Sequence, residues 1–274
     1  MCQAAEDQLR RGDPQAALAA LQEAVRSTPA DARLRVFLFQ LLCVLGDWPR
    51  AVAQLRTCAT LDAAAEPMAR TYREAIICER WREKVFAGTQ APAVLGEPEP
   101  WLALLIEALR LEATGAAGAA ADLRAQAFEA APASPGTLDG TPFAWLADAD
   151  PRLGPVLEII VNGRYFWAPF AAIAGLEIAP PADLRDRVWM PASVTWANGG
   201  AAAALIPTRY AGAPGGAGPA HLLAQATDWA ELPGGGLAGL GQRLLVSDAA
   251  EHPLMDIRSL ALIVAAPAEE ARHG

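Results

Sequence analysis

Residues 148–170 read DADPRLGPVLEIIVNGRYFWAPF, and the Asn162-Gly163 pair in their middle decides how the second half is read. Asn-Gly between two apolar runs signals a two-residue hairpin, because a type I′ turn needs positive φ at both central positions. Such a turn pairs Val161 with Arg164, Ile159 with Phe166 and Leu157 with Ala168. That face is apolar. The opposite face carries Val156, Glu158, Ile160, Tyr165 and Trp167, and it too is apolar apart from Glu158. A hairpin apolar on both sides needs a core under one face and a covering layer over the other. Pro151 and Pro155 hold the approach to the first strand extended, and Gly154 lets it bend.

Downstream of the hairpin, short strands are expected near 173–178, 187–190, 192–197, 202–206, 243–247 and 257–264, with Asn198-Gly199 as a second turn and 212–218 as a flexible loop. Many short strands between Gly, Pro and Asn turns suggest a small antiparallel barrel or sandwich. Upstream, PASPGTLDGTP (132–142) reads as a linker, and before it the pattern becomes helical.

The helical half repeats. Gly12-Asp13 recurs as Gly46-Asp47, Ala17 as Ala51, Leu21 as Leu55 and Ala24 as Cys58, each 34 residues on. That is the period of the tetratricopeptide (TPR) helix–turn–helix unit. Gly-Asp turns the chain, the small residue lets helices approach, and the leucine fills the gap. Helices are expected at about 3–11, 14–26, 32–45 and 48–60, with Pro29 closing the first pair. The third is apolar nearly all round and belongs at the centre of the array. A longer, more charged helix covers 66–86. After a Pro-rich break at 89–100, PWLALLIEALRLEATG and the segment from Gly115 to Pro132 suggest a third, degenerate pair. Repeat leucines and alanines are core residues, and nothing in 1–132 has the look of chemistry. Such arrays bind peptides or helices on a concave face.

With 274 residues the chain is long enough for two ordinary domains. A net charge of −9 and a pI of about 4.9 argue against nucleic acid and anionic membrane surfaces. Cys2, Cys43, Cys58 and Cys78 show no CxxC spacing and read as small buried residues in a reducing compartment. The N-terminus is too polar for a signal peptide, and the densest apolar run, 36–45, is too short to span a bilayer. A cytoplasmic protein is expected.

The blocks FAWLADADPRLGPVLE (143–158), NGRYFWAPF (162–170), APPADLRDRVWMPA (179–192), LIPTRY (205–210) and GLGQR (239–243) resemble the ImpE/SciE/TagJ family of bacterial type VI secretion accessory proteins. The resemblance covers nearly the whole chain and is most specific in 140–243. The helical first half and the strand-rich second half together make an α+β fold; the resemblance implies no catalytic activity, and no cofactor is expected. It also implies a partner: the N-terminal helix of TssB, the small subunit of the contractile sheath. Because the ClpV ATPase dismantles that sheath, a role in sheath turnover or ClpV recruitment follows. The family's motifs assign no single residue to the sheath helix. The alanine-rich 211–238 segment departs from the family pattern.

Asp148 and Asp150, two apart, would share a face if extended and would suit a general acid–base pair or a cation site. Two carboxylates without a third ligand, followed by Pro151, more often cap a turn or pair with arginine. Arg152, Arg164, Arg185, Arg187, Arg209 and Arg243 are available to balance Asp148, Asp150, Asp183 and Asp186. Asp183-Leu-Arg-Asp186 reads as a self-paired turn with Leu184 toward the core. GGGLAGLG (234–241) lacks the Lys-Ser/Thr of a Walker loop and the strand-to-helix setting of a dinucleotide site. His221, His252 and His273 are scattered, and HExxH and GxSxG are absent. Trp145, Trp167, Trp189 and Trp196 fall in the β half, where core is the commoner place for tryptophan; Trp167, beside Glu158 and Tyr165, is the one expected at an interface.

These readings assemble into a TPR-like domain over 1–132 and a β-rich domain over 138–274. The expected function is a binding adaptor for an amphipathic helix, with Arg152, Glu158, Tyr165, Trp167, Arg185, Asp186, Arg209, Tyr210 and Arg243 as candidate partner-binding residues. The groove would be the concave side of the repeats or the seam between domains, with the seam preferred. Two other classes remain: an enzyme using Asp148 and Asp150, and a general TPR-type co-chaperone.

Overall fold

A computed structural model describes residues 2–96, 99–211, 216–232 and 235–264. Seven helices fill the first half: α1 Gln3–Arg10, α2 Pro14–Ser27, α3 Ala32–Val44, α4 Trp48–Leu61, α5 Glu66–Phe86, α6 Pro100–Ala113 and α7 Ala117–Ala130. Their ends follow local chemistry. Gly12 and Gly46 take φ of +77° and +72°, a region closed to most side chains. The aspartate after each caps the next helix: Asp13 accepts from the Ala16 amide at 2.8 Å and Asp47 from the Arg50 amide at 3.3 Å. Gly115 repeats the positive φ, but Ala116 follows it and gives no side-chain cap, so the third pair keeps the turn and loses the cap. In α3, residues 38–44 are all buried, the central place expected of it. Among the described residues, no helix is long and apolar enough to cross a membrane.

The second half is sheet-rich. Its strands are β2 Gly136–Leu138, β3 Thr141–Phe143, β4 Leu146–Asp148, β5 Val156–Val161, β6 Arg164–Pro169, β7 Ile173–Ile178, β8 Trp189–Trp196, β9 Ala201–Pro207, β10 Thr227–Glu231, β11 Leu237–Gly241, β12 Leu244–Ser247, β13 Glu251–Pro253 and β14 Ser259–Leu262; β1, Ala93–Val94, comes from the helical half, and the short helix α8 covers Pro219–Leu222. Nine strands form one sheet in the order β1-β6-β5-β9-β8-β7-β14-β2-β3. The order has two ends, so the barrel alternative gives way to an open sheet. A three-stranded sheet, β13-β12-β4, shares a core with it through Leu146 and Leu245, which makes the arrangement sandwich-like.

The β5–β6 hairpin has the register read from Asn162-Gly163, including Val161 opposite Arg164, Ile159 opposite Phe166 and Leu157 opposite Ala168. Asn162 and Gly163 take φ of +50° and +70°. The two faces enter different cores. Leu157, Ile159, Val161 and Ala168 join the core of the β half. Val156, Ile160, Tyr165 and Trp167 join the core built by the helices. The covering layer is therefore this chain's own helical half. Gly163→Ala is expected to lower the unfolding free energy by about 1–2 kcal/mol, since alanine resists positive φ. Its methyl would also crowd the Glu74 carboxylate. Urea denaturation checks this; an unchanged midpoint contradicts it.

Three expectations need correction. The stretch 132–142 is no linker, because β2 and β3 lie in it, joined through Asp139 (φ +48°) and Gly140 (φ +83°). The runs 187–190 and 192–197 are one strand, β8. It tolerates Pro191 because β7 pairs only as far as Ala192, and the Pro191 carbonyl accepts from the Ala179 amide beyond the strand end. The Pro-rich break at 89–100 contains β1, which pairs parallel to β6. Part of the loop expected at 212–218, and His273, lie outside the described residues.

Candidate partner-binding site

The seam between the halves is built on α5. Its inward face sends Glu79, Arg82 and Phe86 toward the hairpin. Arg82 reaches across 76 positions of sequence to clamp Glu158, its Nε 2.6 Å from Oε1 and its Nη2 2.7 Å from Oε2. Tyr165 donates its hydroxyl proton to Glu158, and Trp167 Nε1 donates to the Tyr165 oxygen at 2.7 Å. On the far side, Arg243 Nη1 is 3.4 Å from Glu158 and its Nη2 is 2.7 Å from Asp148. Glu79 accepts from Trp189 Nε1 at 2.9 Å and sits 3.4 Å from Arg82. The result is a chain of alternating charges, all buried.

Arg209 closes the seam differently. Its Nη1 donates to the carbonyls of Val44 at 2.7 Å and Leu222 at 2.8 Å, so a side chain of the β half caps the C-terminus of α3. Burial lowers its pKa to about 10. For Glu158, burial pushes the carboxyl up, but Arg82 and Arg243 with the hydrogen bonds outweigh it and hold the group below its ordinary value. For Asp148, burial wins over Arg243 and pushes the carboxyl up to about 6. Such a group holds its proton more tightly when folded. Ionising it between about pH 4 and pH 6 therefore subtracts stability as pH rises. Asp148→Asn is expected to flatten the stability–pH profile in that window, read by urea denaturation at a series of pH values; an unaltered slope contradicts the assignment.

The Asp148/Asp150 pair is committed to arginine. Asp148 meets Arg243, and Asp150 meets Arg152 at 2.6 Å while accepting from the Gly239 amide at 2.8 Å. That contact accounts for part of the glycine-rich 234–241 stretch: the Tyr210 ring lies 2.3 Å from where a Cβ on Gly239 would sit. Asp183-Leu-Arg-Asp186 forms a self-capped 3-10 turn, Leu184–Arg187, with Arg185 paired to Asp183 and Asp186 accepting from the Ala182 and Asp183 amides.

Of the nine residues expected to face a partner, Arg152, Glu158, Tyr165, Trp167, Asp186, Tyr210 and Arg243 are buried, and Arg185 and Arg209 are half-buried. Trp167 is corrected outright: it is fully buried, its ring 6.4 Å from that of Phe86. The mixed face that singled it out is the face α5 covers. Among the tryptophans of the β half, Trp145 and Trp229 are the exposed ones.

An open groove lies beside the seam. A groove of about 610 Å³ runs between α1, α3 and the Leu184–Arg187 turn. Leu9, Val36, Phe37 and Leu184 line it half-buried, with Glu6, Arg10, Arg33, Asp62 and Asp183 around them. Glu6 Oε1 is buried there with no hydrogen-bond partner among the described residues. The turn fixes one wall, because Arg185 stacks 4.7 Å over the Tyr72 ring of α5. None of Leu9, Val36, Phe37 or Glu6 was singled out from sequence. The available signal was the position of Leu9 and Phe37 on the first helix of each repeat, the side that lines a concave face.

Residues 140–261 match the family described as ImpE protein, and residues 8–66 match the tetratricopeptide repeat. The type VI secretion system accessory component TagJ of Pseudomonas aeruginosa (strain PAO1) is 54% identical over 258 residues, covering 93% of this chain and 90% of TagJ. The crystal structure of protein VPA1032 from Vibrio parahaemolyticus superposes with a TM-score of 0.86 at 28% identity, over 95% of this chain and 98% of that one. On the helical repeat, the shared β half and identity sustained through both, the chain belongs to the ImpE/TagJ family of type VI secretion accessory proteins.

Proposed function

We propose that this protein is a cytoplasmic, non-enzymatic adaptor that takes the N-terminal helix of the TssB sheath subunit into the α1/α3 groove. The observation that carries the proposal is the groove itself: apolar walls from Leu9, Val36, Phe37 and Leu184, open to solvent and ringed by both signs of charge. An amphipathic helix fills such a groove with anchors at i, i+3, i+4 and i+7. The unpartnered Glu6 oxygen calls for a donor on that helix, a lysine or arginine beside the anchors. Of the nine candidate residues, Arg185 contributes to the groove through its ion pair with Asp183, and Asp186 fixes the turn that carries Leu184. By holding the sheath subunit's helix, the adaptor alters how readily ClpV dismantles the sheath.

The test is calorimetric titration of the full-length protein with a peptide spanning the TssB N-terminal helix from the same organism. Micromolar binding that a scrambled peptide lacks is expected. Equal affinity for both peptides, or none for either, overturns the proposal.

A further inference from the structure

The outward face of α5 is a second, separate surface. Helical spacing puts Arg70, Arg73, Ile77, Arg80, Trp81 and Lys84 along one stripe, and all but the half-buried Arg73 are exposed. Ile77 is 60% and Trp81 40% exposed, unusual values for large apolar residues one helical turn apart. A hollow of about 380 Å³ lies beside them, closed by Pro92, Ala93 and the hairpin tip, where Arg164 is exposed. The acids of α5 leave the C-terminal half of this stripe clear. Glu79 is buried in the seam, and Glu83 accepts from Trp48 Nε1 on another face. Glu66 lies toward the N-terminal end, and the half-buried Glu74 sets its carboxylate against Gly163 at the hairpin tip, N-terminal to Ile77.

The charges are uncompensated. On other helices Arg10, Arg26, Arg50 and Arg110 each pair with an acid three residues earlier, while the exposed Arg11, Arg33 and Arg56 do not. Among the described residues, Arg70, Arg73, Arg80, Lys84 and Arg164 form no ion pair. This happens on a chain of net charge −9 whose only lysine is Lys84. Lys84 Nζ lies 6.0 Å from the Trp81 ring centroid, so the cation and the aromatic are presented together.

We infer that the α5 stripe, centred on Ile77, Trp81, Arg80, Lys84 and Arg164, docks an acidic amphipathic helix of a protein partner, at a place independent of the α1/α3 groove. Charge complementarity selects an acidic partner. Two apolar side chains one turn apart beside a hollow match the anchors of a helix, and an exposed tryptophan is a common hot spot. The acidic remainder of the chain disfavours an anionic bilayer or nucleic acid, which would have to approach the whole surface.

The single lysine supplies the readout, since the rate of its acylation is measurable by mass spectrometry. The probe is an 18-residue synthetic helix with Leu at i, i+3, i+4 and i+7 and Glu elsewhere, and its control replaces every Glu with Arg. On the full-length protein, the Glu helix is expected to slow Lys84 acylation at least fivefold, with the effect lost at high salt. Binding followed by anisotropy is expected to weaken at least tenfold in Ile77→Asp and in Arg80→Glu/Arg164→Glu. These side chains are exposed, so an unchanged melting temperature separates loss of docking from loss of fold. Phe37→Asp in the groove is expected to leave the binding intact. Equal protection by the Arg helix, unchanged binding in the stripe variants, or protection by phosphatidylserine vesicles or duplex DNA in place of the Glu helix would overturn the inference.

Discussion

Glu158→Gln is expected to lower the unfolding free energy by about 3–5 kcal/mol, the usual consequence of removing one partner from a buried ion pair. Glu158 is fully buried and receives Arg82 from the helical half and Arg243 from the β half. Without its charge, two guanidinium groups stay inside the seam with less to balance them. Arg82→Gln should cost a similar amount, because it strands Glu158. The double variant Arg82→Leu/Glu158→Leu should recover much of the loss, since apolar residues can replace a complete pair far better than half of one. Urea denaturation of the four proteins makes the comparison. A loss below about 1 kcal/mol for the single variants would mean that water reaches the pair. The two halves should also unfold together, because the charge chain, the Arg209 cap and the Phe86–Trp167 contact all cross between them.

The second large effect is on binding. Phe37→Asp, or Leu9→Asp, places a charge on the apolar wall of the α1/α3 groove. Each is expected to weaken the TssB helix peptide by about 2 kcal/mol or more, roughly 30-fold in Kd. Both side chains are half-buried at the groove, so the melting temperature should move by only a few degrees. Glu6→Gln is expected to act more weakly, through the hydrogen bond that a basic residue of the helix would make. Unaltered affinity in both apolar variants would place the helix elsewhere.

Much of the fold was legible because single residues carry strong local physics. Gly12-Asp13 and Gly46-Asp47 combine a positive-φ turn with a helix cap, and so they mark both helices and their period. Asn162-Gly163 set a register that runs through six residue pairs. Asp139-Gly140 carries the same kind of signal and was missed inside a stretch rich in Pro and Gly, where a linker looked the simpler reading. The seam was not legible. Nothing local marks Arg82 as the partner of Glu158, because 76 residues separate them and only the tertiary fold brings them together. For the same reason the chemistry of Glu158, Tyr165, Trp167 and Arg243 was noticed while its direction was misjudged: unusual residues on a mixed face suit an internal interface as well as an external one. The pairing of Asp148 and Asp150 with arginine is legible, because two carboxylates lack the third ligand that a cation site needs. The groove residues went unmarked, as leucine and phenylalanine in a repeat read as core until their partial exposure is seen.

The most direct test of the account is hydrogen exchange on the full-length protein with and without the TssB helix peptide. The groove reading predicts slowed exchange in α1, in the first turns of α3 and across the 183–187 turn, with α5 and the β5–β6 hairpin unaffected. Protection confined to other segments, such as α7 and β4, or no protection at saturating peptide, would contradict it.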